Sequence, residues 1–229
     1  MIDFASLKAM TIPEGDVKRI DIDGVTVWET ASDPINDYQR VEYIYRKSGG
    51  GWVRTDFIAN NTSGLELTYS VPSFSDTATM GSRQSSVTNG RCYAFYPRAT
   101  TVGYIGWNSA QSWSVSTVAN TIYTTRLNWL NSRKAVILNE DGTTKATKSI
   151  SGTLVEHTSP IDICAYGNGN GRAMYFYGAR LSQDDEIVRE FIPCYRKRDG
   201  EIGMWETFTK TFFPSRVTGG FTKGDDIDW

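Results

Sequence analysis

Apolar and polar positions alternate with a period of two along much of this chain, the spacing of a strand with one buried face. Leu65, Leu67, Tyr69 and Val71 fall on one face, with Glu66 and Thr68 on the other. Short runs of this kind recur between turn signals at residues 38–45, 52–57, 64–71, 78–82, 91–96, 102–107, 123–129, 134–138, 144–150 and 161–166. Asp141-Gly142 marks a turn between two of them. Residues 171–205 carry the pattern most clearly. Two aromatic-rich apolar runs, 173–181 and 187–194, flank the polar linker 182–186, which predicts an antiparallel hairpin. Pro193, the Asp199-Gly200 pair and the apolar segment 202–205 then fold the chain back again.

The first thirty residues stand apart. Segments 17–22 and 25–28 alternate around Asp23-Gly24, a strong short-range hairpin signal. An isolated hairpin is marginal in water. This one therefore needs a surface to dock on, whether the main domain, another copy of the chain or a different protein. The polar stretch ETASDPIND, with Pro34, reads as a connection. The expected organisation is an attachment segment at 1–30, a linker at 31–37 and one all-β domain at 38–229, an antiparallel β-sandwich. Neither an internal repeat nor a low-complexity tract interrupts it.

Composition narrows the function. With 229 residues, one sizeable core is affordable, and 21 glycines with 13% aromatics favour a sandwich over alternating helices and strands. A formal charge of -2 provides no basic field for a nucleic-acid backbone. No run of about 18 apolar residues predicts a membrane span, and MIDFASLKAM lacks the basic start and apolar core of a signal peptide. Synthesis and folding in the cytosol are expected. Cys92, Cys164 and Cys194 are widely spaced and odd in number, the pattern of buried free thiols.

Three stretches carry a family likeness. FYGARLSQDDEIVREFIPCYRKRDGEIGMWE resembles the closing hairpin of concanavalin A-like (laminin-G-like) jelly rolls found in phage virion and prophage proteins of gut bacteria. DYQRVEYIYRKSGGGWVRTDF is similar to the opening of such domains. Val41, Glu42, Tyr43, Ile44, Ser48, Gly49, Trp52, Val53, Thr55 and Phe57 keep its pattern, and Arg54 and Asp56 depart from it. The terminal text, with its Gly-x-x-Gly-Met-Trp turn and Gly-Phe-Thr-x-Gly close, also resembles the family, although Glu206 replaces the usual Asp. Residues 2–29 resemble short adaptor segments that precede these domains.

The resemblance implies an antiparallel jelly-roll sandwich in a virion, assembled in the bacterial host cytoplasm. It implies a fibre, tail or head-decoration role, with other virion proteins held through the N-terminal segment. It also implies a closed homo-oligomer, a trimer favoured on a fibre axis. Fold likeness alone names no ligand.

The residues themselves offer few chemical groups. No Glu-x-Asp-x-x-Glu pair of the glycosidase type occurs, so no enzyme is expected. Glu66 and Glu140 are carboxylates that folding would have to bring to a partner. His157, the only histidine, lies in EHTSP with no nucleophile motif behind it. No cofactor is expected. Asn139, Glu140 and Asp141, or Asp225, Asp226 and Asp228, supply some of the oxygens calcium needs, and turn chemistry accounts for both groups equally well. Sugars stack their C–H faces on aromatic rings while amides bond their hydroxyls. Within an aromatic-rich middle third, Trp107, Asn108, Gln111 and Trp113 in GWNSAQSWS therefore form a candidate saccharide loop, with Tyr104 and Trp107 packing in the sandwich as the alternative. Asn168 and Asn170 of YGNGNGR are candidate additions. Trp52, Trp129 and Trp205 read as core.

Overall fold

The computed structural model describes residues 19–22, 25–29, 34–75, 77–84, 91–100, 102–107, 109–153, 158–167 and 169–229. The first described elements are strands β1 (Arg19–Ile22) and β2 (Val25–Glu29), which pair antiparallel as a separate two-stranded sheet. Pro34–Asp37 then forms one helical turn, α1, where the sequence predicted a linker. The fixed φ of proline suits the first position of such a turn. Strands β3 (Tyr38–Arg40), β4 (Ile44–Arg46), β5 (Val53–Arg54), β6 (Gly64–Ser70) and β7 (Met80–Gln84) follow. Next come β8 (Arg91–Ala99), β9 (Val102–Trp107), β10 (Ser109–Ser114), β11 (Tyr123–Leu127), β12 (Lys134–Asn139) and β13 (Thr144–Ser149). The last are β14 (Asp162–Ile163), β15 (Met174–Gln183), β16 (Glu186–Arg196), β17 (Ile202–Glu206), β18 (Thr211–Pro214) and β19 (Phe221–Lys223).

These strands form two antiparallel sheets. The smaller has the order β10-β9-β8-β7-β14-β5, and the larger β13-β12-β11-β6-β15-β16-β17-β18. Their inner faces share one core, in which Met80, Phe95, Ile105 and Ile163 of the smaller sheet meet Leu65, Leu67, Tyr69, Leu127, Ile137, Phe176 and Phe191 of the larger. The result is a β-sandwich-like all-β fold.

The larger sheet forks. β15 and β16 form the predicted hairpin through Asp184 and Asp185, both at positive φ (50° and 70°), the backbone that a two-residue turn between twisted strands requires. Farther along they part, and β4 pairs the start of β15 while β3 pairs the end of β16. Both changes of partner coincide with a local irregularity. β15 carries a bulge between Phe176 and Gly178, and β16 has Pro193, which lacks an N–H, just before it meets β3. The C-terminal tail closes the fork: Glu42 N donates to the Asp225 carbonyl at 2.9 Å, Ile227 N to the Arg40 carbonyl at 3.1 Å, and Trp229 Nε1 to the Tyr38 carbonyl at 3.3 Å.

Several predicted strands are shorter than their apolar runs. Residues 38–45 break at Glu42 and Tyr43, 52–57 keep only β5, and 161–166 keep only β14. Cys164 leaves β14 at φ 64°, so it lies just outside a strand rather than in one. Two buried arginines secure the irregular segments. The Arg46 guanidinium donates to the carbonyls of Cys164 and Gly169, and that of Arg172 to the carbonyls of Ser73, Ser75 and Pro97. Burial without a carboxylate lowers both pKa values, that of Arg172 to about 10.

Candidate functional site

The candidate saccharide loop is a strand. Residues 109–114 pair with β9 in register, Trp113 opposite Gly103 and Gln111 opposite Ile105. Trp107 and Trp113 are only 1% and 6% exposed and face the core, Trp113 edge-on to Phe95 at 6.4 Å. Trp107 Nε1 is spent on the Gly152 carbonyl at 3.1 Å. A stacking plate must offer a ring face to its ligand, and burial corrects that reading for these two rings. Gln111 is half-buried, Asn170 is exposed, and Asn108 and Asn168 lie outside the described residues, as does His157. Asn170 serves the glycine-rich turn, its carbonyl accepting from Tyr166 N at 2.9 Å. Trp52 is half-buried beneath the Arg54 guanidinium rather than core. Trp129 and Trp205 are buried, but outside the inter-sheet cluster.

The outer face of the larger sheet brings functional groups together instead. Strands β11, β6 and β15 lie side by side, and their outward residues form rows about 7 Å apart along the strands. In the first row Arg126 and Arg180 flank Glu66. In the second, Thr124 and Thr68 are bonded to each other at 2.8 Å and Gly178 stands across from Thr68. In the third, Tyr175 lies between Ser70 and Tyr45. The bulge adds Tyr177, an extra residue against β6, turned outward beside Tyr175. Tyr43 packs edge-on to both, at 5.1 Å and 5.8 Å, and Tyr45 lies 4.6 Å from Tyr175.

Gly178 makes the middle of this face low. A Cβ there would meet only the Phe191 carbonyl, at 3.6 Å. The face is thus a shallow trough with a floor of Gly178, Thr68 and Thr124, one wall of half-buried tyrosines and one of arginines.

Electrostatics fix the arginine wall. Glu66, 5% exposed, accepts from Arg126 Nε at 2.5 Å and from Arg180 Nε at 2.6 Å, and its ion-pair distance to Arg180 Nη2 is 2.5 Å. The Trp129 ring lies 5.9 Å from one guanidinium and 5.3 Å from the other. The segment carrying Trp129 holds Asn128, Leu130, Asn131 and Arg133 at positive φ, a concentration of backbone strain beside the wall. On the opposite wall, burial raises the Tyr177 hydroxyl's pKa against the lowering effect of its hydrogen bond to Ser70.

The other candidate chemistries have structural explanations. Asp141 accepts from Thr143 N and Oγ1, which lowers its pKa and caps the turn. Asp226 is held below the usual carboxylate range by Lys223 Nζ at 2.6 Å, and it accepts from the Tyr195 hydroxyl. Among the described residues no three His, Cys, Asp or Glu side chains are grouped as metal ligands, and no helix is long and apolar enough to cross a membrane. Cys164 and Cys194 are buried and free.

Alternation puts Glu66 on the polar face of β6, and the partners that folding brings to it are two arginines, 60 and 114 residues away, rather than a second carboxylate. No protein-family model matches this chain, and no curated protein matches it. The fold and the trough carry the functional argument.

Proposed function

We propose that this chain is a non-enzymatic structural protein of a phage virion, of fibre, tail or head-decoration type, with a concanavalin A-like jelly-roll head that binds host-surface or gut glycans. The trough on the larger sheet is the observation that carries the reading. Four clustered tyrosines beside hydroxyls and guanidinium groups are what a sugar needs, since its C–H faces stack on rings while its hydroxyls take hydrogen bonds. The likeness of three sequence stretches to phage jelly rolls and the β-sandwich-like architecture support the virion context. Each Glu66 oxygen is engaged by a guanidinium, which suits an ordering role better than acid–base chemistry.

In this reading the N-terminal segment attaches to other virion proteins and the heads form a closed oligomer, a trimer by preference. Many copies on one particle turn weak single-site affinity into firm attachment. The test is a screen of the purified protein on a glycan array and on host cell walls, with and without calcium. Specific binding that is lost in Tyr175→Ala, at an unchanged melting temperature, is the expected outcome. A well-folded oligomer that binds nothing would favour a purely architectural adaptor or decoration protein. That second reading has its own support in β1 and β2, a two-stranded sheet separate from the two large ones.

A further inference from the structure

We infer that the trough selects a carboxylated sugar, of uronic-acid or sialic-acid type, whose carboxylate sits on Arg126 and Arg180 while its ring lies over Gly178 against the tyrosine wall. This rests on the glycan-binding reading and adds the chemical class of the ligand.

The first argument is charge. Two guanidinium groups share one carboxylate, so the Arg126–Glu66–Arg180 row carries one positive charge in excess. Glu190 stands opposite Arg180 on its other side and brings the formal charge of the extended row to zero, but no ion pair within 4.0 Å joins it to Arg180, whose guanidinium is turned to Glu66. The second argument is donor geometry. Glu66 engages Nε of Arg126 and Nε of Arg180 and lies 2.5 Å from Arg180 Nη2, and a guanidinium has five N–H groups, so both forks keep N–H groups that Glu66 does not use. Two such forks match the planar oxygens of a carboxylate.

The third argument is order. Both side chains are about one-third exposed, at 33% and 36%, yet their inner ends are fixed by Glu66 and packed against Trp129. Such side chains lose little freedom when a ligand arrives.

The experiment measures Kd for the full chain against oligogalacturonate, hyaluronan oligomers and sialyllactose, each beside its methyl ester, which keeps the sugar and removes the charge. At least one acid is expected to bind about tenfold or more tighter than its ester, with affinity falling as salt rises. Arg126→Gln and Arg180→Gln should abolish that preference, so that acid and ester bind with equal affinity. Arg126→Lys, which keeps the charge but not the fork, should recover only part of it. Equal affinity for every acid and its ester, in a protein that binds sugars through Tyr175, would overturn the charge inference and leave the glycan reading standing. Tighter binding of polyglycerol phosphate than of any carboxylated sugar would overturn it as well. Absence of all glycan binding would overturn both.

Discussion

Gly178 offers the sharpest separation of folding from binding. Its φ lies outside the left-handed region, and a Cβ at this position would meet one carbonyl at an ordinary 3.6 Å. Gly178→Ala should therefore cost nothing sterically, and it removes freedom from the unfolded chain, a gain of about 0.4–1 kcal/mol. For a chain of this size each kcal/mol moves the melting temperature by about 2–4 °C, so the expected rise is about 1–4 °C. Gly178→Leu extends the side chain outward between Tyr177 and Arg180 and fills the floor. Calorimetric melting and glycan titration, run on both variants, give the two readouts. Melting should be unchanged or raised in Gly178→Ala, and affinity should fall about tenfold or more in Gly178→Leu. A fall in the Gly178→Ala melting temperature of more than about 4 °C, roughly 1 kcal/mol or more, would refute the open floor. Full affinity in a well-folded Gly178→Leu would refute the placement of the ligand.

Trp113→Ala removes a core ring beside Phe95, so it should destabilise by about 3–5 kcal/mol in urea unfolding; a loss below about 1 kcal/mol would mean that the ring is not packed as described. Gly171→Ala would drive a Cβ into Arg46 Nη1 and the Cys164 carbonyl, both buried and bonded to each other. Overpacking of this kind should cost about 3 kcal/mol or fail to fold, and wild-type stability would contradict the Arg46 placement. Burial pushes the Cys164 and Cys194 thiols from the ordinary 9.0 up to about 12. Between those values the unfolded chain releases protons that the folded chain retains, so stability falls as pH rises through the window, by about 1.4 kcal/mol per unit for each thiol. Urea midpoints from pH 8 to 11 should show a shallower decline in Cys194→Ala, and parallel declines would exclude the thiol.

The sequence displayed what is local. Period-two alternation located β6, β9, β11 and β12, and two apolar runs flanking a short polar linker located the β15–β16 hairpin. Composition misled where polar residues occupy a strand. Ser, Asn and Gln made residues 107–114 read as a loop, although Gln111, Trp113 and Val115 alternate there as they do in any strand with one buried side. Arg46 lies two residues from Ile44, and both point inward; only its carbonyl partners more than a hundred residues away justify a buried cation. The trough was illegible for the same reason. Its rows run across four strands, β4, β6, β11 and β15, that are separate in sequence, and alternation tells which face a residue takes without telling what stands beside it.

The fork in the larger sheet sets a timetable for folding. β4 pairs β15 and β19, so residues 44–46 acquire their neighbours only when residues 174–176 and then 221–223 exist. At ribosomal speeds of about 5–20 residues per second, the first turns of the sandwich spend roughly ten to thirty seconds without the strands that cover them. Pairings this distant in sequence also close slowly once the chain is free. The hairpin of β1 and β2, whose two strands are separated by only two residues, is under no such delay. A nascent chain therefore completes both strands of this hairpin well before the sandwich, and because an isolated hairpin is marginal in water, the small sheet becomes firm only when a surface is there to receive it.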